Sequence, residues 1–103
     1  MAGNVDSAIT DFEAGLKLMP DNADLHYNRA TALTSKGQHA KAILGYTEAI
    51  RLSPGLVPAY VNRASGFERL GERDKAIADY RKALEIAPAL PLVRRKLQEL
   101  GAD

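Results

Sequence analysis

Apolar and polar residues alternate along this chain with a helical period, and the pattern itself repeats. Between Ala23 and Lys36 the apolar positions are Leu25, Tyr27, Ala30, Ala32 and Leu33, and the run stops at Gly37. Between His39 and Leu52 they are Ala42, Ile43, Tyr46, Ala49, Ile50 and Leu52, spaced three and four apart. That spacing gives one apolar face per helix. The second run ends at Ser53-Pro54, where proline removes the next backbone donor. Gly37 and Gly71 stand where a chain leaving a helix turns through a left-handed residue. Pro58 and Pro91 suit the first turn of the helices that follow. No stretch keeps the two-residue alternation of a strand, so the whole chain is expected to be α-helical.

The same phrases recur every 34 residues. Pro20, Pro54 and Pro88 share that step. So do the Ala-Ile pairs at 8–9, 42–43 and 76–77, and the aromatics Phe12, Tyr46 and Tyr80. Glycine recurs at 3, 37 and 71, and Asn-Arg-Ala at 28–30 and 62–64. Alanines at 30 and 64, 42 and 76, and 49 and 83 keep the step too, which predicts close helix–helix approach with the tyrosines filling the gaps beside them. Each unit is therefore a helix pair.

This pattern resembles the tetratricopeptide repeat, a 34-residue helix–turn–helix module. The small residues, the turn glycine, the second aromatic and the terminal proline of that motif fall on Ala30, Gly37, Ala42, Tyr46, Ala49 and Pro54, and again on Ala64, Gly71, Ala76, Tyr80, Ala83 and Pro88. The first aromatic falls on His26 and Tyr60, and Arg29 and Arg63 stand where leucine is usual. The resemblance implies an all-α, right-handed superhelical array of about six helices. It divides the chain into the second half of a repeat (3–20), full repeats at 23–56 and 57–90, and a closing helix at 91–100 with a polar outer face. The absence of a first helix for residues 3–20 points to a cut through a longer array.

The resemblance also implies a concave groove lined by the first helix of each unit. The inner-face positions fall on Asp24, Tyr27, Asn28, Thr31, Thr34 and Ser35, then Pro58, Val61, Asn62, Ser65, Glu68 and Arg69, then Leu92, Arg95, Lys96 and Glu99. A protein or peptide ligand is the expected partner. Asn28 and Asn62, one repeat apart, each offer a donor and an acceptor to an extended backbone. Arg29 and Arg63 are read as long stems with solvated heads. The family's carboxylate clamp for chaperone tails needs Lys and Asn, then Asn, then Lys and Arg on three successive first helices. Only Asn28 fits in one register; Pro58 and Asn62 replace the last pair. A shift by one repeat puts Tyr27 and Thr31 at the first pair and leaves Lys96 as a partial match. The clamp is not expected.

An alternative function is self-assembly. Val5, Ile9, Phe12 and Leu16 lie on an edge that lacks its partner helix, and a homo-oligomer through that edge is the second reading.

Composition narrows the chemistry. Hydrophobic residues make up 46% and charged ones 26%, so the chain can bury a core. Fourteen Lys and Arg against thirteen Asp and Glu leave no basic field for nucleic acid. There is no cysteine, and His26 and His39 lack metal-ligand spacing. No nucleophile elbow, glycine-rich phosphate loop or nucleotide fingerprint occurs, so no enzyme activity, cofactor or metal is expected. No membrane span or signal peptide is visible. Lack of cysteine suits the cytoplasm, which is favoured, and the periplasm alike. Glu68 with Arg69, Glu72 with Arg73 and Asp79 with Lys82 are read as weak surface pairs.

Overall fold

The computed structural model describes residues 4–102. These form α1 (Asn4–Leu18), α2 (Ala23–Ser35), α3 (His39–Leu52), α4 (Val57–Arg69), α5 (Arg73–Ile86) and α6 (Pro91–Glu99), with no strand among the described residues. Gly3 of the recurring glycines lies outside them. Each helix packs mainly on its neighbours in sequence, and α2 also touches α4. The result is an elongated stack of 41 × 25 × 21 Å.

The helix ends follow from the sequence marks. Gly37, Gly71 and Gly101 have φ of 77°, 76° and 73°, a region that L side chains avoid. At the first, Gly37 N–H donates to Thr34 O at 2.9 Å and Gln38 N–H to Leu33 O at 3.0 Å. Gly71 with Glu72, and Gly101 with Ala102, repeat this pair of bonds. All three are Schellman endings, and they close α2, α4 and α6. By contrast α3 and α5 run out at Ser53 and Ala87, each donating to the carbonyl four residues back at 2.8 Å, before Pro54 and Pro88. At the start of α2, Asn22 accepts from Leu25 N–H at 3.0 Å. Prolines occupy the first turns of α4 and α6.

A recurring side-chain bond pins the turn after each proline. His26 Nε2 donates to Pro20 O at 2.8 Å, Tyr60 Oη to Pro54 O at 2.8 Å, and Arg94 Nη2 to Pro88 O at 2.9 Å. The carbonyl needs only a donor, so three unlike side chains serve.

The core is built on the small residues. Ala30, Ala42, Ala49, Ala64, Ala76 and Ala83 are each at most 1% exposed. Tyr46 and Tyr80 are the largest fully buried side chains. They belong to two clusters, one around Ala30, Leu33, Ala42, Tyr46 and Ala59, the other around Ala64, Ala76, Ile77, Tyr80, Val93 and Leu97. Gly45 marks the tightest approach: a Cβ there would lie 2.9 Å from Ala30 Cβ.

The two arginines do not end in water. Arg63 donates from Nε and Nη2 to the two carboxylate oxygens of Asp79, both at 2.8 Å, and from Nη1 to Thr47 Oγ1 at 3.1 Å. Its side chain is 19% exposed and that of Asp79 is 7% exposed, so this is a largely buried, bidentate pair. The Asp79 hydrogen bond raises the guanidinium pKa further, against the effect of desolvation. Arg29 reaches the other way, to Glu13 Oε2 on α1 at 2.8 and 3.0 Å. The surface pairs read from adjacency are replaced as well. Asp79 takes Arg63, Glu72 takes Lys75 at 3.1 Å, and Glu68 turns inward.

Candidate functional site

The helices α2 and α4 touch, and Lys96 of α6 reaches Glu68 of α4, so the residues expected to line a groove lie on three helices in contact. Asp24, Asn28, Thr31, Ser65, Arg69 and Arg95 are exposed there. Tyr27, Val61, Asn62 and Lys96 are half-buried. The set is polar at α2 and gains cations toward α4 and α6.

Several of these side chains are committed to one another. Asn62 Nδ2 donates to Tyr27 Oη at 2.8 Å, bridging α2 and α4, and the Tyr27 ring lies 5.6 Å from that of Tyr46. Asn62 therefore has one of its two N–H donors committed, whereas the Asn28 amide makes no side-chain hydrogen bond among the described residues. The two asparagines are equivalent in position and unequal in what they offer. Thr31 Oγ1 lies 3.1 Å from Tyr46 Oη and Thr34 Oγ1 lies 3.3 Å from it. Val61 packs on the cluster around Tyr80.

One repeat on, the buried tyrosine meets a carboxylate. Tyr80 Oη donates to Glu68 Oε2, and Lys96 Nζ stands 3.9 Å from Glu68 Oε1. Burial, then the hydrogen bond to Glu68 and its charge, push the Tyr80 phenol well above its ordinary range. Glu68 occupies the place that Thr34 holds one unit earlier. A polar residue at that shared place opposite a buried tyrosine was the available sign of this contact, and pairing Glu68 with its neighbour Arg69 missed it.

The edge residues divide. Val5 and Phe12 line an open groove of about 380 Å³ between α1 and α2. Ile9 packs inward on the cluster around Tyr46. Leu16 is half-buried. His39 is half-buried as well, with Nδ1 inaccessible and without a hydrogen-bond partner. No metal-binding group of His, Asp and Glu occurs among the described residues. No helix there is long and apolar enough to cross a membrane.

Family models described as tetratricopeptide repeat match residues 2–57 and 57–90. The chain belongs to the tetratricopeptide repeat family. No curated protein sequence matches it. Among solved structures it is similar to the first tetratricopeptide domain of Spaghetti (RPAP3) bound to the HSP90 peptide SRMEEVD. The identity is 27%, over 96% of this chain and 79% of that one, with a TM-score of 0.92. It is similar to the Arabidopsis OM64 tetratricopeptide domain, at 26% identity over 95% and 81% of the two chains, with a TM-score of 0.90. It also resembles the second such domain of human RPAP3 in complex with the HSP70 peptide SGPTIEEVD. There the identity is 25%, over 98% and 84% of the chains, with a TM-score of 0.89. The tetratricopeptide array thus accounts for all six helices.

Proposed function

We propose that this tetratricopeptide array is a non-catalytic interaction module that holds an extended segment of a partner protein along α2, α4 and α6. The observation that carries this reading is the close structural likeness to a domain bound to a chaperone peptide, with exposed polar and cationic groups on those helices. Asn28 would read the ligand backbone with both donor and acceptor. Asn62, held by Tyr27, would accept from a backbone N–H. Arg69 and Arg95 favour an acidic side chain at the α4–α6 end. The ligand is a segment other than a chaperone tail, because Pro58 and Asn62 stand where the clamp requires its two basic residues.

An array of immobilised peptides, followed by calorimetry on the best binder, tests this. Replacing Asn28 by Ala together with Arg95 by Glu is expected to weaken that binder at least about tenfold, while SRMEEVD binds more weakly than the selected peptide. Affinity unmoved by the double change would exclude this groove. Tight SRMEEVD binding would reinstate the chaperone tail.

A further inference from the structure

The groove residues Tyr27, Thr34 and Asn62 recur one repeat on as Val61, Glu68 and Lys96. In the first set the neutral groups use one another. Asn62 Nδ2 donates to Tyr27 Oη at 2.8 Å, and Thr34 Oγ1 donates to Ala30 O at 3.0 Å while lying 3.3 Å from Tyr46 Oη. In the second set two charged groups face each other with their hydrogen bonds unmade. Val61 has no acceptor to offer where Tyr27 serves Asn62, and the Lys96 ammonium makes no hydrogen bond among the described residues.

Glu68 is held in place from below. Tyr80 Oη donates to its Oε2, and burial together with that bond keeps the phenol protonated. The other oxygen, Oε1, has Lys96 Nζ at 3.9 Å, beyond hydrogen-bond reach. The Glu68 and Lys96 side chains are 24% and 40% exposed, so a ligand can touch both.

An unmet acceptor and an unmet donor at this spacing suit a group that carries a donor and an acceptor on one edge. A primary carboxamide is such a group. Its nitrogen and oxygen lie about 2.3 Å apart, and bonds of about 2.9 Å from each reach partners at the observed separation with a slight splay. A backbone peptide group does not fit, because its N–H and C=O point opposite ways. A ligand carboxylate would set an oxygen against Glu68 Oε1, and Glu99, whose charge also acts on Tyr80, adds to that repulsion. A ligand lysine or arginine would set a cation against Lys96.

We propose that Glu68 and Lys96 form a subsite for the side-chain carboxamide of an asparagine or glutamine in the bound segment. The carboxamide N–H donates to Glu68 Oε1, and its oxygen accepts from Lys96 Nζ. This rests on the reading of α2, α4 and α6 as a ligand groove and adds the identity of one ligand residue. Arg69 and Arg95, which make no ion pair among the described residues, are left for an acidic residue elsewhere on the segment.

The probe is an array of short peptides with glutamine, glutamate or leucine fixed at the centre and the flanks randomised. Calorimetry follows on the best glutamine peptide and on its analogues with glutamate or leucine in that place. With the parent chain the glutamine peptide is expected to bind at least about tenfold more tightly than either analogue. Glu68→Gln keeps an acceptor for Tyr80 and turns an amide nitrogen toward Lys96, so two donors then face the ligand. The order is expected to invert, with glutamate above glutamine. Lys96→Met, at a partly exposed position, is expected to shrink the preference for glutamine over leucine to about twofold or less. Peptides that bind the parent equally well with all three residues overturn the subsite and leave the groove standing. So does a glutamine preference that both variants retain, because the carboxamide would then be read elsewhere. Absence of binding by every peptide removes the groove and the subsite together.

Discussion

The helix pairs α2–α3 and α4–α5 have the same lengths, the same Schellman turn and the same buried alanines, yet they handle their polar groups differently. Arg63 reaches forward to Asp79 within its own pair, while Arg29 reaches back to Glu13 on the preceding helix. The residue opposite explains the choice. The counterpart of Asp79 is Gly45, where Ala30 comes too close for any side chain. The counterpart of Glu13 is Thr47, which takes the third donor of Arg63. Likewise Tyr46 is met by two threonine hydroxyls and Tyr80 by a carboxylate. Apolar small residues set the fold in both pairs; polar partners come from whichever neighbouring helix has one.

The sharpest way to break this comparison is to remove each arginine's acceptor. Asp79→Ala leaves a largely buried guanidinium unpaired and is expected to cost about 3–5 kcal/mol in urea unfolding. Glu13→Ala, at a more exposed pair, is expected to cost less than about 1 kcal/mol. Equal losses would mean that burial does not separate the two arginines. Next in size is Gly45→Ala, which forces α2 and α3 apart. A loss of about 1–3 kcal/mol is expected in the same assay, and a neutral result would show that the contact with Ala30 relaxes freely. Tyr46→Phe should then cost about 1 kcal/mol, through the lost hydroxyl contacts with Thr31 and Thr34.

The smallest effect is on alkaline stability. Tyr80 has a raised pKa in the fold, so above the ordinary tyrosine pKa of 10.0 the unfolded chain loses its proton while the folded chain keeps it. Its contribution is fully present below that pH and is lost as pH rises above it. Tyr80→Phe should flatten the fall in melting temperature at high pH relative to the parent. An unchanged slope would show that Glu68 and burial do not hold the phenol neutral.

The helices and their ends were legible because each depends on local chemistry. Gly37 and Gly71 adopt the left-handed turn, Pro58 and Pro91 begin helices, and the spaced alanines are the buried ones. The polar contacts were not legible in the same way. Arg29 and Arg63 have identical neighbours in sequence, but their acceptors lie 16 residues away in opposite directions. Asn28 and Asn62 differ because Asn62 meets Tyr27 on the first helix of the preceding repeat, and no equivalent helix lies against Asn28 among the described residues. The repeat alone aligns the first-helix positions of the two units, such as Asn28 with Asn62 and Thr34 with Glu68. Which of them are free to meet a ligand depended on contacts between repeats.

Because the helices touch chiefly in chain order, nearly every native contact is short in loop-closure terms. Such a chain has little entropy to surrender before its first pair forms, and it can begin folding at either unit and zip outward. It can also be lengthened. A further 34-residue copy inserted between Leu56 and Val57 would meet on both sides the kind of neighbour its parent already had, and would add reach without asking the rest of the molecule to adopt a new topology.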